Sequence, residues 1–280
     1  MPELPEVEIV KRSLEKILTP ETIVLHAEVR RPDIRFQIPK NLNAKMQNQR
    51  IISIRRRAKY LLFEMRSGFL LNHLGMTGSW RLLAKTPKNA KREKLGPHDH
   101  FCLHLSNGEQ LVFRDPRRFG MLDFIEPGQE LTNLRLKDLG PEPLDQKSFT
   151  VDYLFKVSRE RRVPVKSFIM NQKIVVGVGN IYASEALFFA GVSPLKKAGR
   201  LSLKECAHLV ASIGRVLNSA IEQGGSSIRD FVSGDGVVGN YQSQFAVYGR
   251  DGQACQHCKA RLKSKVIVGR TSFWCPQCQK

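Results

Sequence analysis

Four of the six cysteines in this 280-residue chain lie near its C-terminus, and they constrain its fold more than any other feature. They form two Cys-x-x-Cys pairs with sixteen residues between the pairs, at Cys255, Cys258, Cys275 and Cys278. This is the spacing of a four-thiolate zinc site on two knuckles, which leaves no open position for a substrate. A redox dithiol is the alternative for a single pair. Two pairs favour one Zn²⁺ with a structural role.

The segment between the cysteine pairs is basic. Its cations are Lys259, Arg261, Lys263, Lys265 and Arg270. So many cations on a small module are typical of a phosphate contact, although a solvated lysine face is the ordinary alternative. The other two cysteines, Cys102 and Cys206, fall in apolar-patterned segments, which favours buried thiols over a disulfide framework.

The charge of the whole chain indicates a polyanionic partner. Lys and Arg number 45 against 26 Asp and Glu, which gives a net charge of +19 and a pI near 10.0. Nucleic acid is the first candidate and a membrane surface the second. No apolar run approaches the ~20 residues of a membrane span, and the N-terminus lacks a signal-peptide pattern. We therefore expect a soluble intracellular protein, long enough for two domains.

The first half of the chain has the pattern of an all-β domain behind one N-terminal helix. After a helix that starts near Pro5, turn signals such as Asn107-Gly108 separate short apolar segments. The predicted strands are 23–30, 50–57, 60–65, 69–74, 79–83, 100–105, 110–113 and 120–125. Many short strands at this spacing predict a sandwich or barrel over residues 1–130.

The second half changes character. Residues 131–150 lose their periodicity and gain Pro and Gly, which predicts a linker. Helices are predicted at 151–158, 163–170, 180–190 and 202–223, the last with a Ser202/Glu205 capping box. A Gly-rich stretch, 224–244, is long for a structureless loop and is therefore a candidate functional segment. It closes a helical domain over 151–244, and a short strand, 245–248, opens the zinc module over 245–280.

The N-terminus offers a nucleophile. If Met1 is removed, Pro2 becomes a secondary amine beside Glu3 and Glu6. Because an α-amino group titrates near pH 8, a usable fraction is neutral, and its attack on an aldehyde-like carbon would give an iminium ion that permits elimination. The alternative is ordinary capping of a helix by prolines and acids.

Three internal motifs allow both a functional and a structural interpretation. Glycines in 177–180, ahead of a helix, let backbone amides approach a phosphate, but they also suit a plain turn. The basic and aromatic segment 115–120 could fill the gap left by an extruded base, or it could be a strand-connecting turn with Phe119 in the core. Lys59 follows three arginines on a strand, which indicates either a phosphate contact or a solvated face.

Six motifs in order make the chain resemble the bacterial formamidopyrimidine-DNA glycosylase family, which excises oxidised purines. They are PELPEVE at the start, RRRAKYLL, HLGMTG, DPRRFG, VVGVGNIYASEALF and the terminal cysteine module. The resemblance covers essentially the whole chain. It implies an α+β multidomain protein: an N-terminal β-sandwich with an N-terminal helix, a helix-two-turn-helix domain and a zinc-finger β-hairpin, with DNA in the cleft between domains.

The resemblance also implies residue roles. Pro2 is expected to attack the sugar C1′, Glu3 to act as acid and base, Glu6 to support them, and Lys59 to assist catalysis near the lesion. Residues 233–241 correspond to the lesion-recognition loop. The expected DNA-binding residues are His98 together with the void-filling Met76, Arg117 and Phe119 and the phosphate-binding Asn180 and Arg270.

The predicted function is excision of oxidised purines from duplex DNA, followed by β,δ-elimination at the abasic site. The expected protein is a monomer in the bacterial cytoplasm and nucleoid, with no membrane partner. A related endonuclease for oxidised pyrimidines is the nearest alternative, but it typically begins PEGPE, whereas Leu4 stands here. A non-catalytic damaged-DNA-binding protein is the other. One position departs from the family pattern, because Asn171 stands where an aspartate is expected.

Overall fold

The computed structural model describes residues 2–19, 21–85, 93–226 and 239–280. Within these ranges, no helix is long and apolar enough to cross a membrane. The chain forms two compact units, which divide between Lys137 and Asp138. The first contains Glu6–Lys137, and the second contains Glu3–Pro5, Asp138–Ser227 and Gly239–Lys280. The finer domain boundaries stay a prediction.

The first unit is built from two antiparallel sheets and an N-terminal helix. Its helices are α1 (Leu4–Ile17), whose first two residues belong to the second unit, and α2 (Leu42–Met46). Its strands are β1 (Ile23–Val29), β2 (Gln49–Arg50), β3 (Ser53–Arg57), β4 (Tyr60–Met65), β5 (Gly68–His73), β6 (Ser79–Leu83), β7 (Asp99–Leu105), β8 (Gln110–Arg114) and β9 (Met121–Ile125). The five-stranded sheet has the order β2-β1-β7-β8-β6, and the four-stranded sheet has the order β3-β4-β5-β9.

Both sheets contribute to one core, as a β-sandwich requires. Trp80 lies at its centre, with ring centroids 5.1 Å from Phe113 in one sheet and 5.3 Å from Phe63 in the other. The apolar face of α1, represented by Val10 and Leu14, packs into the same core. The α+β prediction with an N-terminal sandwich and helix is confirmed.

One predicted strand, 50–57, is wrong as a single element. Arg50 ends β2, which pairs with β1 in the five-stranded sheet, and Ser53 begins β3, which pairs with β4 in the four-stranded sheet. The chain therefore passes from one sheet to the other at Ile51 and Ile52. Because the two crossing residues are themselves β-branched and apolar, the sequence does not mark the break between the strands.

The second unit is helical and ends in a β-hairpin. Its helices are α3 (Val151–Ser158), α4 (Val165–Ile169), α5 (Asn180–Ala190) and α6 (Leu203–Glu222), and its strands are β10 (Lys263–Ile267) and β11 (Arg270–Trp274). Helix α4 is shorter than predicted at both ends, with Pro164 as its N-cap. Val163 is instead engaged in extended pairing, since its carbonyl accepts a hydrogen bond from the Ala198 amide at 2.9 Å.

The predicted strand 245–248 is also wrong. Tyr241–Gln244 form a 3₁₀ turn, and the next backbone amides are bound by a side chain and have no strand partner in the described part of the chain. The buried Glu185 carboxylate accepts hydrogen bonds from the amides of Ala246, Val247 and Tyr248 at 2.8, 3.0 and 2.8 Å. A sheet ladder is unnecessary where a buried side chain satisfies the donors.

The Gly-rich stretch 224–244 is described at its two ends. Gly239 packs on the carbonyls of Gly224 and Gly225 so closely that a Cβ there would lie 2.3 Å from the Gly224 oxygen. Ser226 and Asn240 form an isolated bridge at the same place. Most of the predicted lesion-recognition loop, residues 233–238, lies outside the described residues.

Candidate active site

The carboxylate of Glu3 is held by the N-terminus of α5. Its Oε2 atom accepts hydrogen bonds from the amides of Gly179 at 2.9 Å and Tyr182 at 3.3 Å, and its Oε1 accepts one from Ile181 at 3.1 Å. The side chain is buried. Amide donors at a helix N-terminus stabilise a carboxylate because their partial positive charge faces it.

Glycines make this close approach possible. A Cβ on Gly179 would lie 2.2 Å from the Glu3 Cδ atom. Gly177 has a φ of +78°, and a Cβ there would lie 2.6 Å from the Leu4 side chain. The Leu4 amide donates a hydrogen bond to the Gly177 carbonyl at 3.0 Å. Within 177–180, the Gly179 amide binds the protein's own Glu3 and the Gly177 amide binds Gln172 Oε1 at 2.9 Å. The phosphate interpretation is therefore wrong for these two amides.

Pro2 and Glu6 flank this anchored residue in the chain. Pro2 is half-buried and precedes Glu3 by one peptide bond, so fixing Glu3 restricts where the Pro2 nitrogen can lie. Glu6 is buried in the first turn of α1. The N-terminal turn thus holds two buried carboxylates within four residues.

Lys59 lies in the two-residue turn between β3 and β4. Its neighbour Ala58 has a φ of +56°, a conformation that costs roughly 1 kcal/mol for a residue with a Cβ. Lys59 is nonetheless buried. Its charge acts with Arg35 on His73, whose pKa is lowered to about 4, chiefly by burial and then by these two cations.

The arginines before Lys59 have partners within the protein. Arg56 donates through Nε to the Glu8 carboxylate at 3.0 Å, and this pairing is one cause that lowers the Glu8 pKa against the opposing effect of burial. Arg55 lies over the Phe69 ring at 4.7 Å and pairs with Glu64. The solvated-face interpretation is therefore wrong for Arg56, whose side chain is only 11% exposed, whereas Arg55 remains exposed.

Met76, Arg117 and Phe119 lie together on two loops of the first unit. Met76 is 38% exposed and Phe119 is 42% exposed. The Arg117 guanidinium lies 5.0 Å from the centroid of the Phe119 ring. The alternative that placed Phe119 in the core is therefore wrong. The loops present large apolar and cationic side chains to solvent.

The remaining predicted DNA-binding residues lie on three elements. His98 is half-buried just before β7, and its carbonyl accepts a hydrogen bond from the Asp115 amide at 2.9 Å. Asn180 opens α5; its Nδ2 donates to the Thr271 carbonyl at 3.1 Å, whereas its buried Oδ1 has no hydrogen-bond partner among the described residues. Arg270 begins β11 and is exposed, as are Lys259, Arg261, Lys263 and Lys265.

One residue of this region was missed from the sequence. Lys166 is buried in α4, and its Nζ donates to the Thr271 carbonyl at 3.2 Å and to Ser272 Oγ at 2.9 Å. Burial lowers its pKa to about 8, Glu3 opposes that shift and Arg270 adds to it. The available signal was a single charged residue in the short segment Val165–Ile169, whose other residues are uncharged.

The departure at Asn171 is accommodated locally. Its Oδ1 accepts a hydrogen bond from the Lys173 amide at 3.0 Å. An aspartate would offer the same acceptor oxygen, so the turn keeps its hydrogen bond with a neutral side chain. The substitution therefore leaves this turn intact.

The four cysteines of the terminal module fit a zinc ion. All four Sγ atoms lie within 4.8 Å of one another, with Cys258 and Cys275 at 3.4 Å and Cys255 and Cys278 at 3.9 Å. Tetrahedral Zn²⁺ with Zn–S bonds of about 2.3 Å requires sulfur separations of about 3.8 Å. Gln279 fastens the second knuckle, accepting from the Cys275 amide at 2.8 Å and donating to the Val192 carbonyl at 2.9 Å. The module holds one structural zinc.

Comparison with known proteins covers nearly the whole chain. Residues 1–122 match the formamidopyrimidine-DNA glycosylase N-terminal domain, 139–232 the H2TH domain of the same enzymes, and 252–280 the zinc finger found in FPG and IleRS. Formamidopyrimidine-DNA glycosylases of Bdellovibrio bacteriovorus and Thioalkalivibrio sulfidiphilus are each 47% identical over 280 residues, which is 100% of both chains.

Similar solved structures indicate the same family. A crystal structure of MutM (Fpg) from Thermus thermophilus is 37% identical with a TM-score of 0.85, covering 99% of this chain and 98% of that one. A complex of Lactococcus lactis Fpg with DNA containing an abasic site is 35% identical with a TM-score of 0.87, covering 99% of each chain. The chain belongs to the formamidopyrimidine-DNA glycosylase family.

Proposed function

We propose that the protein, after loss of Met1, removes oxidised purines from duplex DNA and cleaves the resulting abasic strand through a covalent intermediate on Pro2. The observation that carries this proposal is the fixed carboxylate of Glu3, bound by three backbone amides one residue from the Pro2 nitrogen. A carboxylate held next to a secondary amine can accept and donate the protons that are transferred when the amine reacts.

The proposed chemistry starts with attack of the neutral Pro2 nitrogen on the sugar C1′. The base leaves with the electrons of the glycosidic bond. The Glu3 carboxylate takes the proton that the Pro2 nitrogen releases and donates it to the sugar ring oxygen, so that the ring opens and the iminium ion forms. The resulting iminium ion accepts the electrons released when a proton is lost from C2′, and the 3′ phosphate leaves by β-elimination. A second elimination expels the 5′ phosphate. Glu6 supports the N-terminal turn, and Lys59 assists near the lesion.

DNA recognition is assigned to exposed and half-buried groups on both units. In the first unit, Met76, Arg117 and Phe119 would fill the space left when the damaged nucleotide leaves the stack, because an apolar wedge with a cation can replace lost stacking. His98 is assigned to DNA binding on the same unit. In the second unit, Asn180 and Arg270 would bind phosphates, together with the exposed basic hairpin.

The zinc ion would fix the hairpin that carries Arg270, and the role of the ion is structural. Its four thiolate ligands leave no position for substrate or water. The net charge of +19 supports a polyanionic substrate. We further propose that the protein acts as a monomer in the cytoplasm, at the nucleoid where its DNA substrate lies.

Substrate choice can be tested with matched duplexes. Excision and strand scission would be measured on duplexes that carry 8-oxoguanine or thymine glycol at the same position, with an undamaged duplex as control. The proposal predicts faster release of 8-oxoguanine and a product cleaved on both sides of the lost nucleoside. Preference for thymine glycol would support the pyrimidine-specific alternative. Binding without scission would support a non-catalytic damage-binding protein.

A further inference from the structure

Two loops of the first unit carry the proposed void-filling residues. The Met76 loop, residues 74–78, connects β5 to β6, and the Arg117 loop, residues 115–120, connects β8 to β9. Their exposed tips need a fixed relative position if they are to enter a duplex together. Strand pairing holds the ends of the loops side by side, with His73 opposite Met121 and Ser79 opposite Arg114. The contacts between the loops then fix the positions of the tips.

The side chain of Asp115 joins the two loops. It is fully buried, and its Oδ1 atom accepts a hydrogen bond from the hydroxyl of Thr77 at 2.6 Å. Its Oδ2 accepts one from the Gly120 amide at 2.7 Å. One carboxylate therefore binds the Met76 loop through one oxygen and the far end of the Arg117 loop through the other.

Thr77 completes the connection. Its hydroxyl donates its proton to Asp115 and accepts a hydrogen bond from the Arg117 amide at 3.2 Å. The residue after Met76 is therefore bonded to the backbone of Arg117 as well as to Asp115. A hydroxyl is required for this double role, because it both donates and accepts.

The backbones of the loops are also in direct contact. Gly75 has a φ of +65°, and a Cβ there would lie 2.3 Å from the Phe119 carbonyl carbon and 2.4 Å from the Gly120 nitrogen. The Gly75 amide is bound from its own side by His73 Nδ1 at 2.9 Å. At Gly75 the two backbones therefore pack against each other without an intervening side chain.

We infer that Asp115 and Thr77 are positioning residues that lock the Met76 and Arg117 loops into one rigid wedge for insertion into damaged duplex DNA. The inference rests on the proposed function, since it deepens the role given there to Met76, Arg117 and Phe119. A wedge assembled before binding avoids the entropy cost of ordering two separate loops on DNA. The buried carboxylate is stabilised because each of its oxygens accepts a hydrogen bond.

The test compares Thr77→Val with Thr77→Ser on two substrates. Valine keeps the shape of threonine and removes the hydroxyl, whereas serine keeps the hydroxyl. On an 8-oxoguanine duplex, Thr77→Val should lower the maximal single-turnover excision rate by about tenfold or more, because a hydrogen bond to a charged group is lost. The protein concentration that gives half of the maximal rate should change little. Thr77→Ser should stay within about threefold of the unmodified protein. Thr132→Val, at an exposed loop position, is the matched control.

The second substrate is a single-stranded oligonucleotide with an abasic site. It has no opposite strand and no stacked gap to fill, so its cleavage needs Pro2 and Glu3 but not the wedge. Both Thr77 variants should cleave it at the unmodified rate. Equal losses of Thr77→Val on both substrates would show a general folding defect and overturn the inference.

Reference variants separate this inference from the proposed function. Met76→Ala and Arg117→Ala remove the wedge side chains themselves and should lower duplex excision. If both variants excise normally, the proposed role of the loops fails. If they are impaired while Thr77→Val and Asp115→Asn excise the duplex normally, the role of the loops stands and the locking function of Asp115 and Thr77 is refuted.

Discussion

Two buried glutamates of the second unit are each bound by three backbone amides but have different roles. Glu3 accepts three hydrogen bonds from Gly179, Ile181 and Tyr182 at the start of α5. Glu185, five residues into the same helix, accepts three from the amides of residues 246–248. Both side chains are almost fully buried.

Their neighbours distinguish them. Glu3 adjoins Pro2 in the chain and interacts electrostatically with Lys166. Burial raises the Glu185 pKa, and its three amide bonds oppose the shift, with Arg250 contributing a further small opposing effect. Three amides therefore create a stable buried carboxylate, but they do not make it catalytic. Glu3 is proposed to assist catalysis because the Pro2 amine lies next to it in the chain.

Glu3→Gln should produce the largest effect. It preserves the size of the side chain and removes its charge and proton capacity, so single-turnover excision of 8-oxoguanine should fall by about 100-fold to 10,000-fold. The free energy of unfolding, measured by urea denaturation, should change far less than in Glu185→Ala. An excision rate close to that of the unmodified protein would place the acid and base elsewhere.

Glu185→Ala should mainly affect stability. The amides of Ala246, Val247 and Tyr248 would lose their acceptor, and the predicted loss is about 4 kcal/mol in the free energy of unfolding. Excision by the fraction that remains folded should be unchanged. A large catalytic defect in folded protein would break the distinction between the two glutamates. Glu185→Gln, which retains one acceptor oxygen, is the milder control.

Gly179→Ala tests the support of Glu3 without touching its carboxylate. The new methyl group would meet the Glu3 Cδ at 2.2 Å, so the carboxylate must move, and excision should fall by about 10-fold to 100-fold. Gly214→Ala is the matched control, because a Cβ on this α6 residue meets nothing within 4 Å. That control should keep full activity and gain about 0.5–1 kcal/mol of stability.

Lys166, which lies near Glu3, should have a smaller and pH-dependent effect on the free energy of unfolding. Its pKa is about 8 in the folded protein against 10.5 ordinarily, so the unfolded chain binds more protons between these values. Stability contributed by this residue therefore rises as pH increases from about 8 to 10.5, by on the order of 2 kcal/mol. Unfolding of Lys166→Met, followed from pH 7 to pH 10.5, should lack this rise. Parallel curves for the two proteins would contradict the shifted pKa.

Local patterns in the sequence predicted much of this structure. The capping box at the start of α6 is confirmed, with the Glu205 amide donating to Ser202 Oγ at 3.2 Å and the Ser202 amide donating to Glu205 Oε2 at 2.9 Å. Strand periodicity located β4 and β6 without error. The spacing of the cysteines predicted the zinc module. In each case the signal and the structure lie within a few residues, or a metal fixes the spacing.

The failures share a different physical cause. The Gly179 amide contacts Glu3, far away in sequence, and no local pattern distinguishes that contact from an empty phosphate site. The amides of 246–248 looked like a strand because the acceptor that replaces a sheet, Glu185, lies about sixty residues earlier. The link from Thr77 to Asp115 also joins separate loops. Long-range hydrogen bonds to buried side chains decide these sites.

The central claim is that Pro2 is the nucleophile, and peptide mapping of a trapped complex tests it most directly. The protein would be incubated with an 8-oxoguanine duplex and sodium borohydride, and the adduct digested and analysed by mass spectrometry. We predict an N-terminal peptide that lacks Met1 and carries the reduced sugar remnant on the Pro2 nitrogen. An adduct on Lys59 or another lysine, or full trapping by protein that retains Met1, would contradict the account.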